Sequence, residues 1–429
     1  MKKIVILVIL LAIAFWGCSK RDNPVESTYP SGKIVTSFVY SENIDGNATS
    51  QSAGRSVYIY QPPNYSVSNV DSFEAYVETT GRGTFGEIDI DTTYIRYYVL
   101  DADYPSLYLL HDFKGSSNYY AAMYMLKDIM DEMIATNEII PMLVITPNCS
   151  TSFGGSYYTS TGNVAGSASD TLLYVGDYEN FIIEDLFEHM DDNYNIDSTG
   201  ASRAISGHGM GGYGAMKIAM KYPELFSSVS SMSGPLAFHK FADDGFFDSV
   251  YSENGFTAND TASFYGICDT AGNYSEMAFA MASAFSPHVL TNDDSTYFHR
   301  MEDREDSTWF GIDLPFNVAG VIDTSSSNTI WTKWQNNNAF EMLSALNGDD
   351  LDAFKELDIY LDCGDSDHLL LNLQNSAFDA KLTEKSITHT YSTYSGYSGY
   401  DAGHSNYLAE RLRVILKFHS DNFVNAASN

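Results

Sequence analysis

Residues 204–215 read AISGHGMGGYGA, a short apolar run, a turn dense in glycine and the start of a helical pattern. Strand, tight turn and helix in that order are the setting of the G-x-S-x-G nucleophile elbow, in which a serine is raised on the turn to attack an acyl carbonyl. Here the five positions hold Gly207, His208, Gly209, Met210 and Gly211. Both outer glycines are present, as a tight turn and a closely packed helix require. The central residue has no side-chain oxygen. Taken alone, the block reads better as an ordinary glycine-rich turn.

The elements around it fit a scaffold for such a turn. Before Pro105, three runs rich in β-branched and aromatic residues (34–40, 57–60 and 94–100) predict strands that lead into a sheet. From Pro105 onward, short apolar runs at 107–111, 142–146, 204–206, 228–232 and 357–362 alternate with helical stretches at 121–135, 178–192, 210–221 and 372–385. Leu408, Leu412, Ile415 and Leu416 give a closing amphipathic helix. That rhythm predicts a doubly wound, mostly parallel α/β sheet. The stretch from about 235 to 347 interrupts it and is expected to form a cap-like insertion over the C-terminal edge of the sheet. It carries Trp309, Trp331 and Trp334, suited equally to a core of its own or to stacking on a ligand. Residues 391–400 (YSTYSGYSGY) read as a loop.

The chain opens with Met1-Lys2-Lys3, an apolar run from Ile4 to Trp16, and Gly17-Cys18, the order of an export signal. The run is short for a membrane span. A small residue before a cysteine at this place resembles the bacterial lipoprotein signal. The resemblance implies a signal peptide over 1–17, lipidation of Cys18, a polar tether over 18–33 and a folded part over 34–429. The chain is therefore expected to be exported and lipid-anchored to the bacterial cell envelope, with the membrane touched only through that anchor. An uncleaved anchor helix would export it equally.

Without Lys2 and Lys3, 21 basic residues face 56 acidic ones. Such a surface repels nucleic acid, whose phosphates need clustered Lys and Arg, and does not penalise a neutral polysaccharide. Cys149, Cys268 and Cys363 have no metal-ligand spacing and allow at most one bridge. No cofactor and no metal site is expected.

Several segments together resemble the esterase family that includes esterase D, feruloyl esterases and acetylxylan esterases, in which the turn reads approximately G-H-S-M-G-G. They are residues 104–111 (YPSLYLLH), 140–142 (IPM), Arg203 and 222–226 (YPELF), and the resemblance runs from about Tyr58 to His419. It implies an α/β-hydrolase fold and hydrolysis of carboxylic esters on acylated carbohydrates or small esters. The family triad runs Ser, Asp, His along the chain. Its last two members match Asp367, in CGDSD, and His404, in GHS. The oxyanion hole falls to the backbone N–H of Met210 and that of Phe113. Gly209 stands at the serine position, and Asp112 where the family usually has glycine. A carboxylate turned inward there would oppose developing negative charge. His208 is expected to point away from the acid and base.

Loss of a triad nucleophile costs on the order of a millionfold in turnover. Three readings follow: a pseudo-esterase that binds glycan at the cell surface; a hydrolase in which His404 and Asp367 activate a water directly; and a serine esterase whose residue 209 has been altered artificially or by a sequence error.

Overall fold

The apolar runs after Pro105 become strands because each is buried on both faces, so only a position inside a covered sheet suits them. The computed structural model describes residues 30–47, 51–65, 77–84, 87–94, 103–160, 176–253, 273–288, 297–300, 309–315, 330–396 and 399–428. Its strands are β1 (Lys33–Tyr40), β2 (Gly54–Gln61), β3 (Val77–Thr84), β4 (Glu87–Tyr94), β5 (Ser106–Leu110), β6 (Leu143–Pro147), β7 (Arg203–His208), β8 (Ser228–Met232), β9 (Pro287–His288), β10 (Tyr297–Arg300), β11 (Trp309–Ile312), β12 (Asp358–Gly364) and β13 (Thr390–Tyr394). An 8-stranded sheet runs in the order β1-β2-β6-β5-β7-β8-β12-β13. The two pairings made by β2 are antiparallel, and the neighbours from β6 to β13 are parallel. This is the doubly wound α/β arrangement the alternation predicted.

Successive side chains of β5 feed opposite faces. Leu107 and Leu109 join Leu126, Met130, Leu412 and Leu416 in one layer, and Tyr108 and Leu110 join Met216, Phe181 and Phe378 in the other. The helices Leu126–Ala135 and Leu408–Ser428 therefore cover one face, and Met210–Lys221 and Leu371–Glu384 the other. The chain leaves β5 for β6 on one side and returns to β7 on the other, which opens a crevice at the strand C-termini.

Several local expectations need correction. The helix expected over 121–135 is broken at Met125, whose φ of 55° is left-handed, into Tyr119–Tyr124 and Leu126–Ala135. The helix expected over 178–192 contains a π-helical stretch, Phe181–Leu186. Phe181 and Leu186, like Ile182 and Phe187, are buried at a spacing that a wider turn lines up on one face. Residues 391–400 are not all loop, because β13 pairs in parallel with β12 from Thr390 to Tyr394. Paired on one side and half exposed, that edge strand has no apolar run to announce it. Tyr94 ends β4 of a β3–β4 hairpin, and 95–102 lie outside the described residues.

Between β8 and β12 the alternation stops, as expected. The described parts are the helices His239–Asp243, Phe246–Glu253, Asn273–Phe285, Ile330–Asn336, Ala339–Ala345 and Gly348–Lys355, with a small sheet ordered β10-β11-β9. Trp331 and Trp334 are buried here. Trp334 packs 5.7 Å from the Phe285 ring and donates its indole N–H to Ser286 Oγ at 3.0 Å, which makes it core. The expected signal segment and Cys18 lie outside the described residues. At the end of the expected tether, Gly32 N–H donates to Asp131 Oδ1 at 2.9 Å, and Lys33 already belongs to β1. Among the described residues no helix is long and apolar enough to cross a membrane. Cys149 and Cys363 are free and buried.

Candidate active site

The residues singled out by the sequence converge at the C-terminal ends of the parallel strands. Asp112 follows β5, His208 ends β7, Gly209 precedes the Met210–Lys221 helix, Asp367 follows β12 and His404 lies beyond β13. Gly209 has φ 53° and ψ −117°, a region that side chains resist. Its N–H donates to Met232 O at 2.8 Å, which ties the turn to the end of β8. Gly211 lies so close to the Leu110 carbonyl that a Cβ would overlap it, and this fixes the helix against β5.

The two amides expected to form an oxyanion hole do converge, and both meet Asp112. Its Oδ1 accepts from Met210 N–H at 2.8 Å and from Phe113 N–H at 2.7 Å. A Cβ on Gly209 would fall on that carboxylate, overlapping Oδ1 and Cγ. The other oxygen, Oδ2, lies 3.1 Å from His404 Nε2. His404 Nδ1 is 2.9 Å from Asp367 Oδ2, and Asp367 Oδ1 accepts from Leu369 N–H at 2.8 Å. His404 thus sits between two carboxylates.

The expected orientation of His208 is overturned. Its ring lies 4.5 Å from that of His404, with Nδ1 3.5 Å from Asp112 Oδ2. The physical reason is the bond from its Nε2–H to the His404 carbonyl at 2.9 Å, which draws the ring beneath the acid–base pair. Because that carbonyl can only accept, Nδ1 carries no proton in the neutral ring and accepts from Tyr119 O–H at 3.0 Å. Neither this bond nor Tyr119 has a signature in the sequence. Arg411, on the closing helix, also donates to the His404 carbonyl and pairs with buried Asp362.

Burial acts on every group here, and the neighbours decide the outcome. It would lower the His404 pKa, but Asp112 and Asp367 outweigh it and push that pKa up to about 10. Burial opposes ionisation of both carboxylates, and the His404 imidazolium holds each below its ordinary value. His208 is lowered to about 3 by burial and by the positive charge on His404. The resting cluster is an aspartate–imidazolium–aspartate array beside a neutral imidazole.

Asp112, Gly209 and His404 line a cavity of about 180 Å³, whose other walls include Phe113, Tyr157, Met277, Leu369 and Leu371. The Tyr157 hydroxyl is buried and has no hydrogen-bond partner among the described residues. The cavity offers an apolar wall with a polar end, suited to an acyl group.

Comparison with known proteins agrees with this fold. The family model described as "Putative esterase" matches residues 92–409. Esterase Rv1288 of Mycobacterium tuberculosis is 29% identical over 140 residues, which are 32% of this chain and 26% of that protein, so the match spans about a quarter of the relative's length. Among solved structures, a ferulic acid esterase is similar with a TM-score of 0.53 and 16% identity, covering 91% of this chain and 99% of that one. An S-formylglutathione hydrolase from Agrobacterium tumefaciens is similar with a TM-score of 0.51 and 15% identity, covering 92% and 97%. The matched residues take in the β5 end, the glycine turn, Asp367 and His404, and the chain belongs to the esterase family that this model describes.

Proposed function

We propose that this chain is an exported, lipid-anchored member of the esterase family whose cleft binds acylated carbohydrate, and that its serine acyl-transfer route is closed at two coupled positions, Gly209 and Asp112. One observation carries the reading: Asp112 Oδ1 accepts from both amides of the expected oxyanion hole and occupies the space a residue-209 side chain would need. A tetrahedral intermediate places negative charge where those amides point, and a carboxylate already there excludes it by volume and by charge. The coupling favours an adapted site over a lone artificial change at 209, because a serine there would meet Asp112. The direct water route is also less well supported, since His404 Nε2 faces Asp112 Oδ2 at 3.1 Å and is protonated in the array. For binding, the support is the cavity, with an apolar wall and Asp112 and His404 at its polar end, together with an acidic surface that tolerates neutral glycan.

The test compares the parent chain with Gly209→Ser, Asp112→Gly and the double variant. Substrates are an aryl acetate and acetylated and feruloylated xylan, all assayed in the presence of a chelator. Turnover should rise in the double variant alone, by at least about a hundredfold over the parent, given the size of a nucleophile's contribution. The parent should bind acetylated xylan fragments in calorimetry. Full activity in the parent, or Gly209→Ser matching the double variant, would sink the closed-route reading. An absence of glycan binding would sink the carbohydrate part.

A further inference from the structure

The geometry points to a divalent transition-metal site in the cleft, fitted to zinc, with Asp112 Oδ2, His208 Nδ1 and His404 Nε2 as its protein ligands. These three atoms lie within 4.8 Å of one another and belong to buried residues. With bonds of about 2.0–2.1 Å, neighbouring ligands of a tetrahedral ion stand roughly 3.3 Å apart. The two nitrogen-to-oxygen separations here are 3.1 and 3.5 Å. Little movement is needed along those two edges.

The hydrogen bonds behind the three ligand residues also fit a metal. Ligating imidazoles usually donate their other ring N–H to a carboxylate or a backbone carbonyl, and ligating carboxylates are themselves hydrogen-bonded. All three conditions hold. His404 Nδ1–H meets Asp367 Oδ2 at 2.9 Å, His208 Nε2–H meets the His404 carbonyl at 2.9 Å, and Asp112 Oδ1 takes the Met210 and Phe113 amides at 2.8 and 2.7 Å. Each residue therefore keeps one further atom able to ligate an ion, and these are the atoms that cluster. An ion would replace the proton on His404 Nε2, which leaves to solvent, and the O–H of Tyr119 would turn from His208 Nδ1 towards Tyr124 Oη, now 3.4 Å away.

Two nitrogens and one carboxylate oxygen suit zinc, cobalt, nickel or copper better than magnesium or calcium, which prefer oxygen throughout. Asp112 and His404 line the cavity and His208 does not, so the open position would face the cavity. There it would take water or an oxygen of the bound ligand, the arrangement of a three-ligand open zinc site. The proposal shares Asp112 and His404 with the functional reading above but does not depend on its substrate. Metal assays contain no ester and the ester assays contain chelator, so either can fail alone.

The experiment titrates Zn2+ by calorimetry, and Co2+ by visible absorption, into the full chain after dialysis against EDTA. One ion per chain is expected, with the intense visible bands of low-coordinate, nitrogen-ligated Co2+. His208→Ala, His404→Ala and Asp112→Asn should each weaken binding by at least about a hundredfold, and Asp367→Asn, which touches only the far nitrogen of His404, by about 10–100-fold. Tyr119→Phe, which removes only the competing hydrogen bond, should bind as tightly or more tightly. The proposal is overturned by a lack of saturable one-to-one binding, by affinity that the ligand variants leave unchanged, or by the weak spectrum of Co2+ held by oxygen alone. Because the spectrum is read on the unmodified chain, it decides the matter even where a variant fails to fold.

Discussion

Two buried histidines show how differently one side chain can be used within one sheet. His404 lies at the C-terminal edge between Asp367 and Asp112. His419 lies under the same sheet with its ring nitrogens 2.8 Å from Ser228 Oγ and 2.8 Å from Ser230 Oγ, hydroxyls two residues apart on one face of β8. Both are buried. Their pKa values move in opposite directions: carboxylates push His404 up to about 10, whereas burial with hydroxyl partners takes His419 down to about 3, so one ring is a cation and the other neutral. At equal burial the partners set the protonation state, and only the histidine with charged partners stands at a cavity.

The largest effect that should separate them is on stability at neutral pH. His404→Ala removes the cation from between two buried carboxylates and should cost about 3–5 kcal/mol, the usual result of stranding buried charge. His419→Ala removes a neutral ring and leaves serine hydroxyls that can turn, and should cost about 1–3 kcal/mol. Denaturant unfolding of the two variants at pH 7 measures both. Equal losses would break the contrast.

The pH dependence sharpens it, because the two rings slope in opposite directions. His404 has a folded pKa raised to about 10 above an ordinary value of 6.5, so its contribution is complete below about 6.5 and is lost as pH rises through 10. His419 has a folded pKa lowered to about 3, so its contribution is complete above about 6.5 and is lost as pH falls towards 3. Asp112 and Asp367, both held low, add to the loss on the acid side. Ring resonances of selectively labelled histidine should show neither residue titrating between pH 6 and 8. A midpoint near 6.5 for either would remove the distinction. His368, whose ring stands 6.1 Å from that of His404, is the neighbour to assign alongside them.

A smaller effect isolates the coupling of Asp112 to Gly209. Gly209→Ser alone should cost about 1–3 kcal/mol, because it forces a side chain into a left-handed position and onto a carboxylate. In the Asp112→Gly background the cost should shrink by at least about 1 kcal/mol, the scale of coupling between touching residues. Additive losses in this double-mutant cycle would mean that Asp112 readily moves aside.

How far these features could be read in advance depended on whether they are local. The parallel strands announced themselves because burial on both faces demands unbroken apolar runs such as SLYLL and LVITP. The turn at Gly209, with Asp367 and His404, was legible through motif spacing and family resemblance, and the structure brings all three to one edge. The sequence puts a carboxylate at position 112 but does not tell which way it turns, since its partners Met210 and His404 lie far along the chain. The bond from His208 to the His404 carbonyl spans 196 positions, so no window of sequence contains it. The edge strand Thr390–Tyr394, with one partner and half-exposed side chains, has no hydrophobic signature, and the π-helical turn over Phe181–Leu186 shows itself only once burial is known.

The smallest expected effect lies on the helix that carries His419. Two residues before it, Lys417 Nζ lies 2.8 Å from both carboxylate oxygens of Asp421, with more than half of each side chain in solvent. The spacing is that of a helical ion pair with the base N-terminal to the acid, the weaker orientation against the helix dipole. Water and salt screen such a pair, and holding two long side chains costs entropy, so Lys417→Ala should change stability by no more than about 0.5 kcal/mol. The change should also fade in high salt, whereas the loss in His404→Ala should persist because that array is shielded from solvent. Unfolding curves at low and high salt for the two variants read this directly. A salt-sensitive loss in His404→Ala would place its carboxylates in water and undo the contrast between the two histidines.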